Sequence, residues 1–181
     1  MEHAIYTGVT QSGKTTLARH ASRTLLSHKA KVAVYDPMLT DTLGGGWGEG
    51  ALIFNDPESF LDWVHSDESN HHIIFVDEAH HIFSHEQKEH LWMLTQGRHY
   101  GMYFNLITQR PKKIHPDART NCPRCYVFRL AQDDVKDIAA DYGFSNLHRI
   151  SLDRGDFLAL NAGSAEFSRA NVFQLLQRKQ S

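Results

Sequence analysis

Apolar residues follow two alternating patterns along this chain. Segments rich in apolar residues, which predict strands, lie at residues 3–7, 31–36, 51–54, 73–76, 102–108 and 125–130, and the unbroken apolar run at 73–76 predicts a strand buried on both faces. Between them, apolar residues recur at helical spacing, as in the segment that begins at Lys14 and carries Leu17, Ala21 and Leu25 on one face. Because strands alternate with helices, we expect a three-layer α/β domain with a mostly parallel central sheet.

Capping residues predict where two of the helices begin. Asp56 followed by Pro57 predicts a helix whose first residue is the proline. Ser84 and Gln87 form a capping-box pattern, which predicts a helix that continues toward Gly97.

The C-terminal part of the sequence predicts a β extension of the sheet. Gly143 is expected to end a helix, and residues 157–160 and 167–173 are expected to form strands. The prediction is therefore a single domain over residues 1–181, with a core at about 1–160 and a C-terminal strand and tail at 161–181.

Composition restricts the class of protein. A chain of 181 residues suits one domain and is too short for two ordinary ones. No apolar run has the length of a membrane span, the N-terminal residues lack the pattern of a secretory signal, and two cysteines make no disulfide framework. With a net charge of −2 the protein is not a polycation, so binding to DNA would need basic residues gathered in one segment.

The segment GVTQSGKT at residues 8–15 matches the phosphate-loop pattern G-x-x-x-x-G-K-[ST], and it lies between a predicted strand and a predicted helix. Glycines allow a turn whose backbone N–H groups point at phosphate oxygens, and the helix N-terminus favours their negative charge. Lys14 is expected to reach the β- and γ-phosphates, and the Thr15 hydroxyl to bind Mg²⁺. The expected nucleotide-binding residues are Gly8, Val9, Thr10, Gln11, Ser12, Gly13, Lys14, Thr15 and Thr16.

An acidic pair follows the apolar run at residues 73–76. Asp77 would lie at the C-terminal edge of a central strand, where α/β sheets bind ligands, and would hold Mg²⁺ through a water. Glu78 would polarise the attacking water as the general base, which favours hydrolysis over transfer to a second substrate. The plainer alternative is that the two acids end a strand and cap a helix.

Two further polar residues flank the predicted strand at 102–108. Gln109 follows that strand and is expected to contact the attacking water and the γ-phosphate. Arg98, in the segment QGRHYG before the strand, is the favoured arginine finger, acting in its own chain or in the next subunit of a ring. Arg110 and Arg119 are competing candidates. A polar strand end and a surface salt bridge are the alternatives for Gln109 and Arg98.

These motifs together resemble the FtsK–HerA superfamily of DNA-pumping ATPases. Within it, the sequence is most similar to the small genome-packaging ATPases of tailless, internal-membrane viruses with double-jelly-roll capsids. Residues 8–15 match the family's Walker A, residues 73–78 its Walker B with the catalytic glutamate, and GRHYG followed by FNLITQRP its arginine-finger and sensor segments. The matching finger and sensor residues are Arg98 and Gln109.

The resemblance implies a RecA-like (ASCE) P-loop ATPase that uses Mg²⁺ and ATP. It also implies a ring, pentameric or hexameric, that translocates double-stranded DNA without sequence preference and packages it into a capsid. Capsid or portal-vertex proteins are the implied partners, and the host cytoplasm or a virion vertex is the implied location.

Two segments are candidates for contact with DNA or with a neighbouring subunit. The densest basic segment follows the predicted sensor strand, and its candidate DNA-contact residues are Arg110, Lys112, Lys113 and Arg119. The glycine-rich loop at 44–50, which contains Trp47, is a candidate for a pore or subunit contact. A solvated basic loop and a flexible surface loop are the respective alternatives.

Cys122 and Cys125 have C-x-x-C spacing, but no second pair follows that would complete a zinc site. Buried thiols at the start of a strand are therefore the preferred interpretation, and metal binding stays open.

Two other functions remain open. One is a nucleotide or metabolite kinase, which would need an arginine-bearing lid and an acceptor pocket. The other is an assembly ATPase that extrudes filamentous phage and does not act on duplex DNA; such proteins usually carry a membrane-spanning segment.

Overall fold

The computed structural model describes residues 1–39, 46–164 and 166–177. Within these ranges the strands are β1 (Ala4–Thr7), β2 (Lys31–Tyr35), β3 (Leu52–Phe54), β4 (His72–Val76), β5 (Tyr103–Thr108), β6 (Arg124–Val127), β7 (Asp156–Asn161) and β8 (Phe167–Asn171). The α-helices are α1 (Lys14–Ser27), α2 (Pro57–Val64), α3 (Trp92–Thr95), α4 (Pro116–Thr120), α5 (Gln132–Tyr142) and α6 (Val172–Gln177).

All eight of these strands belong to one sheet, in the order β3-β2-β4-β5-β1-β6-β7-β8. The strands from β3 to β6 pair in parallel, whereas β7 and β8 add to the β6 side as an antiparallel hairpin. The predicted mostly parallel sheet with a C-terminal β extension is therefore confirmed.

Both faces of the sheet are covered, which explains the unbroken apolar run at residues 73–76 in the central strand β4. In β1, Ile5 faces a core shared with residues of α2, α3, α4 and α5. Its neighbours Ala4 and Tyr6 face a second core on the opposite side, shared with residues of α1 and α6. The three-layer arrangement predicted from the alternating pattern is thus confirmed.

The order of the strands brings the predicted site motifs together. β1, which leads into the phosphate loop, and β4, which leads into the acidic pair, are both hydrogen-bonded to β5. Because these three strands are parallel, their C-terminal ends lie at one edge of the sheet.

The capping predictions for α2 and α5 are confirmed. The Asp56 side chain accepts a hydrogen bond from Ser59 N–H at 2.8 Å, with Pro57 as the first helical residue. Gly143 ends α5 in the left-handed conformation, at a φ of 75°.

The prediction of one continuous helix from Ser84 toward Gly97 is wrong. The segment instead contains a 3₁₀ turn at Lys88–Leu91, the short α3, and another 3₁₀ turn at Gly97–Tyr100. Gln87 donates to His81 O, and His90 Nδ1 lies 2.8 Å from Ile82 O. These contacts of side chains with backbone carbonyls compete with regular helical hydrogen bonding.

The C-terminal strand is shorter than predicted, and a helix replaces its last two residues. Asn171 Oδ1 accepts hydrogen bonds from the N–H groups of Phe173 and Gln174, which caps the start of α6. α4 is a helix that the sequence pattern did not predict. In the described ranges, no helix combines the length and the apolar character needed to cross a lipid bilayer.

Candidate nucleotide-binding site

The phosphate loop is anchored to the strands on both sides of β1. Gly8 N–H donates to Thr108 O at the end of β5, at 3.3 Å, and Val9 N–H donates to Arg129 O beyond β6, at 2.8 Å. The loop then leads directly into α1, so that its backbone precedes a helix N-terminus. This is the strand–loop–helix context that a phosphate loop needs.

Close packing requires glycine at both motif positions. A Cβ on Gly8 would lie 2.6 Å from Phe128 Cβ, and one on Gly13 would lie 2.9 Å from Val172 Cγ1. Gly13 also has a φ of +110°, which strains any residue with a side chain. The two glycines therefore fix the shape of the loop against β6 and the C-terminal extension.

Lys14, the first residue of α1, is buried, with 6% of its surface exposed. Burial lowers the pKa of Lys14, and the nearby carboxylates of Asp77 and Glu78 act in the opposite direction. The lysine therefore lies between the phosphate loop and the acidic pair, as the sequence predicts. Thr16, two residues after Lys14 on α1, is half-buried.

Thr15 and Asp77 supply oxygen atoms suited to Mg²⁺. The Thr15 hydroxyl lies 3.5 Å from Asp77 Oδ2. Burial, together with the negative charges of Asp36 and Glu78, raises the pKa of Asp77 to about 6, although the Glu78 N–H and Lys14 oppose this shift. A divalent cation would stabilise these clustered carboxylates, and hydroxyl and carboxylate oxygens are ligands that Mg²⁺ accepts. The predicted metal residues thus fit the ion.

Glu78 is held by side chains from two other parts of the site. Its backbone is left-handed, with a φ of 46°, directly after β4 and Asp77. Gln109 Nε2 donates to Glu78 Oε1 at 2.8 Å, and His80 Nδ1 lies 3.4 Å from Oε2. Burial and the neighbouring His81 lower the pKa of His80, and the Glu78 carboxylate acts in the opposite direction. The unusual backbone is the kind of strain found at functional sites.

Gln109 also contacts the phosphate loop, because its Oε1 accepts a hydrogen bond from the Thr10 hydroxyl at 2.8 Å. A pocket of about 300 Å³ opens beside these groups, and its lining includes Glu78, Gln109, His80 and Lys113. The structure therefore brings together the phosphate loop, the acidic pair and Gln109, as the sequence predicts.

Asp36 is a site residue that the sequence analysis missed. It follows β2 at the same edge of the sheet and is buried, and its Oδ2 accepts from Trp47 Nε1 at 2.8 Å and from Arg19 at 3.4 Å. Its charge contributes to the raised pKa of Asp77. An aspartate directly after an apolar run was the available signal, the same one that identified Asp77.

A second pocket, of about 750 Å³, lies between the end of β6, α5 and residues 145–152. Its lining is largely apolar and includes Leu130, Val135 and Leu152. None of the predicted site residues lines this pocket.

Arg98 lies away from the site of its own chain. It is exposed in the turn Gly97–Tyr100, which precedes β5, whereas Gln109 follows that strand. Six residues of β5 separate the two edges of the sheet, a distance of roughly 17 Å. The alternative in which Arg98 acts in its own chain is therefore wrong, and a role in a neighbouring subunit stays a prediction.

Arg119 is neither a finger nor a DNA contact in this structure. It is 7% exposed, its Nε donates to Asp141 Oδ2 at 2.6 Å, and its Nη1 donates to the carbonyls of Pro111 and Ile114. These bonds tie the 110–114 segment to α5. The sequence pattern could not reveal this, because Asp141 is distant along the chain.

The other basic residues of this segment are accessible. Arg110 is half-exposed and donates to the buried Asp134 at 3.0 Å. Lys112 and Lys113 are exposed, and Lys112 Nζ lies 4.0 Å from Asp133. Lys112 and Lys113 therefore stay candidates for contact with phosphates, with Arg110 already engaged inside the chain.

Trp47 does not present itself to a pore or to another subunit. Its side chain is fully buried against Phe75, and Ser22 Oγ donates to its carbonyl oxygen. Residues 44–45 of the same loop lie outside the described residues.

Cys122 and Cys125 are fully buried, and burial raises the pKa of both thiols, as expected for structural cysteines.

Solved structures of similar fold include the genome packaging NTPase B204 from Sulfolobus turreted icosahedral virus 2, in complex with AMP. Its TM-score is 0.79 at 18% identity, and the match covers 94% of this chain and 96% of that chain. This chain has the RecA-like P-loop NTPase fold. The similarity to packaging ATPases inferred from the motifs is thus confirmed at the level of the fold.

Two further structures share the fold. The pCW3 conjugation coupling protein TcpA matches with a TM-score of 0.65 at 14% identity, over 98% of this chain and 65% of that chain. The N-terminal domain of zonular occludens toxin from Neisseria meningitidis matches with a TM-score of 0.55 at 16% identity, over 96% and 97% of the two chains.

At the level of sequence, the profile of the zonular occludens toxin (Zot) family matches residues 50–133. That range includes the acidic pair, Arg98 and Gln109 but not the phosphate loop. No curated protein matches the sequence.

Proposed function

We propose that this protein is a Mg²⁺-dependent ATPase that translocates double-stranded DNA, as a genome-packaging motor. The observation that carries the proposal is the position of Gln109, whose amide is hydrogen-bonded both to Thr10 of the phosphate loop and to Glu78. This contact connects the place where a triphosphate would bind with the carboxylate that would activate water. It therefore favours hydrolysis of the nucleotide over simple binding.

Each group in the site has a role in this chemistry. Backbone N–H groups of the loop and Lys14 would bind the phosphates, and Thr15 and Asp77 would hold Mg²⁺, which neutralises phosphate charge when bound. Glu78 would accept the proton of the attacking water, and Gln109 would orient that water. Arg98 of an adjacent subunit would stabilise charge that develops on the γ-phosphoryl group.

Duplex DNA is proposed as the substrate that moves. Lys112 and Lys113 are exposed and follow Gln109 by a few residues, so a change at the γ-phosphate would reach them through a short stretch of backbone. Phosphate contacts by lysine carry little sequence information, which suits a motor that must move any sequence. Action in the host cytoplasm at a capsid or portal vertex is part of the same proposal.

The test measures phosphate release as duplex DNA is titrated across a salt series, with the oligomeric state determined in the same sample. We expect duplex DNA to increase the rate. Glu78→Gln should lower kcat by about 10²- to 10⁴-fold while ATP binding is retained, because only the general base is lost. A rate that no DNA changes at any salt concentration would contradict translocation, and unchanged turnover in Glu78→Gln would contradict the assigned base.

A second candidate is an assembly ATPase that acts on phage proteins and not on duplex DNA. The match of residues 50–133 to the Zot profile, together with the similar fold of a Zot domain, favours keeping it. Such a protein would bind a capsid or coat protein, and duplex DNA would leave its turnover unchanged. Formation of ADP that depends on a small-molecule acceptor, with the phosphoryl group transferred to that acceptor, would instead indicate a kinase.

A further inference from the structure

Three side chains form a continuous hydrogen-bonded series across the site. The Thr10 hydroxyl donates to Gln109 Oε1 at 2.8 Å, and Gln109 Nε2 donates to Glu78 Oε1 at 2.8 Å. The first residue belongs to the phosphate loop, the second follows β5 and the third follows β4. The series therefore joins three elements that are far apart in sequence.

The Glu78 carboxylate sets the direction of these bonds, because its oxygens only accept, whereas the Thr10 hydroxyl can donate or accept. A glutamine amide has an acceptor at one end and donors at the other, and rotation by about 180° exchanges them. While the Thr10 hydroxyl bonds to Oε1, the amide nitrogen faces Glu78. If the amide were reversed, its oxygen would face the carboxylate oxygen, and both groups would be acceptors.

Glu78 needs such support because its other contacts are weak. Its left-handed backbone starts the 3₁₀ turn Ala79–His81, and its Oε2 lies 3.4 Å from His80 Nδ1, which is long for a hydrogen bond. A pocket of about 300 Å³ beside Glu78 leaves room for the carboxylate to move.

We infer that Thr10 is a positioning residue for hydrolysis, whose hydroxyl anchors the Gln109 amide at the place from which it donates to the Glu78 carboxylate. The inference rests on the proposed ATPase function and adds a role to a residue expected only to line the phosphate site. Because Thr10 lies in the loop that would receive the phosphates, nucleotide binding would act on the Thr10–Gln109 hydrogen bond and, through Gln109, on the general base.

The test compares steady-state ATP hydrolysis, without DNA, for Thr10→Val and Thr10→Ser. Valine keeps the branched shape but removes the hydroxyl, whereas serine keeps the hydroxyl. We expect Thr10→Val to lower kcat by about 3- to 10-fold with little change in KM or ATP affinity, the size of one lost hydrogen bond. Thr10→Ser should recover most of this loss. Thr120→Val, at an exposed threonine whose hydroxyl donates to Asp117 O, controls for the substitution itself.

A double-mutant cycle with Gln109→Ala tests whether Thr10 acts through Gln109. If it does, Thr10→Val causes no further loss of kcat in the Gln109→Ala background. Additive losses, a wild-type kcat in Thr10→Val, or a loss confined to KM and ATP affinity would each overturn the inference. The last result would make Thr10 a direct ligand of the nucleotide.

The outcome is separable from that of the proposed motor function. If wild-type protein hydrolyses ATP but does not respond to duplex DNA, translocation is contradicted while the basal rates of the Thr10 variants still decide the inference. If the folded wild-type protein releases no phosphate, both are overturned.

Discussion

The two arginine-bearing segments that flank β5 differ in how their charges are satisfied. After the strand, Arg110 and Arg119 are each paired with an aspartate of α5, and Arg119 also donates to two backbone carbonyls. Before the strand, Arg98 is exposed, and within the described part of the chain its side chain makes no ion pair or hydrogen bond, although its charge helps to lower the pKa of His3. The sequence presents all three as candidate fingers, but only Arg98 among them has its guanidinium free to meet a partner.

This difference separates the catalytic groups that a single chain brings together from the one that would need a second molecule. The phosphate loop, the acidic pair and Gln109 are assembled at one edge of the sheet by internal contacts. Arg98 lies at the opposite edge, so it can stabilise a transition state only at a site formed with another molecule. We therefore expect catalysis to depend on assembly of subunits, whereas the stability of the folded chain depends on Arg119.

The largest expected effect is that of Arg98→Ala on turnover. Loss of an arginine finger lowers kcat by about 10³-fold or more, because charge on the γ-phosphoryl group is no longer offset. We expect this loss in phosphate-release assays, with ATP binding and folding retained. Arg149→Ala, at another exposed arginine, should leave turnover unchanged.

Mixing inactive variants tests whether the finger acts between subunits. In a mixed oligomer, an Arg98→Ala subunit still supplies Glu78 and can receive Arg98 from a Glu78→Gln neighbour. Activity should therefore reappear when the two variants are combined. A mixture that stays as inactive as its components, in a confirmed mixed oligomer, would count against a finger supplied between subunits.

Arg119→Met should lower the free energy of unfolding. The change leaves Asp141 and two carbonyls without their donor, and breaking a buried ion pair costs about 3–5 kcal/mol of unfolding free energy. Chemical denaturation would measure this loss. Arg124→Met provides the matched control, because Arg124 pairs with Glu2 at the surface and an exposed pair contributes about 1 kcal/mol or less. Equal losses in both variants would remove the distinction between the two arginines.

The smallest predicted effect concerns the lysines between Arg110 and Arg119. Lys112→Gln with Lys113→Gln should weaken binding to duplex DNA similarly for all sequences. The slope of log affinity against log salt should become shallower by about 2, because each lysine would no longer neutralise one DNA phosphate. The same change at the exposed Lys29 and Lys31 should leave the slope intact. If both pairs behave alike, the segment after β5 has no special role in binding DNA.

Patterns local in sequence predicted much of the fold and the centre of the site. Apolar runs located the central strands, and the phosphate-loop motif and the acids after β4 lie together because parallel strands end at one edge. Long-range contacts were not accessible in the same way. The ion pair of Arg119 with Asp141 and the burial of Trp47 beside Asp36 depend on residues that only the folded chain brings together.

The segment from Ser84 to Gly97 shows a second limit. Its capping residues and apolar spacing are typical of a helix, yet Gln87 and His90 contact carbonyls of residues 81 and 82 and interrupt it. The spacing of apolar residues is visible in the sequence, but the backbone group to which a polar side chain forms a hydrogen bond is not.

The C-terminal extension has a consequence for how the protein is made. Gly155 N–H donates to Ser12 O, and Val172 packs against Gly13, so the phosphate loop is completed by residues that are synthesised much later than the loop itself. A chain that has not yet been extended to Val172 would contain the phosphate-loop sequence but lack the residues that pack against the loop. Competence to bind nucleotide should therefore appear only after Val172 has been synthesised, which makes it depend on the folding of the C-terminal extension.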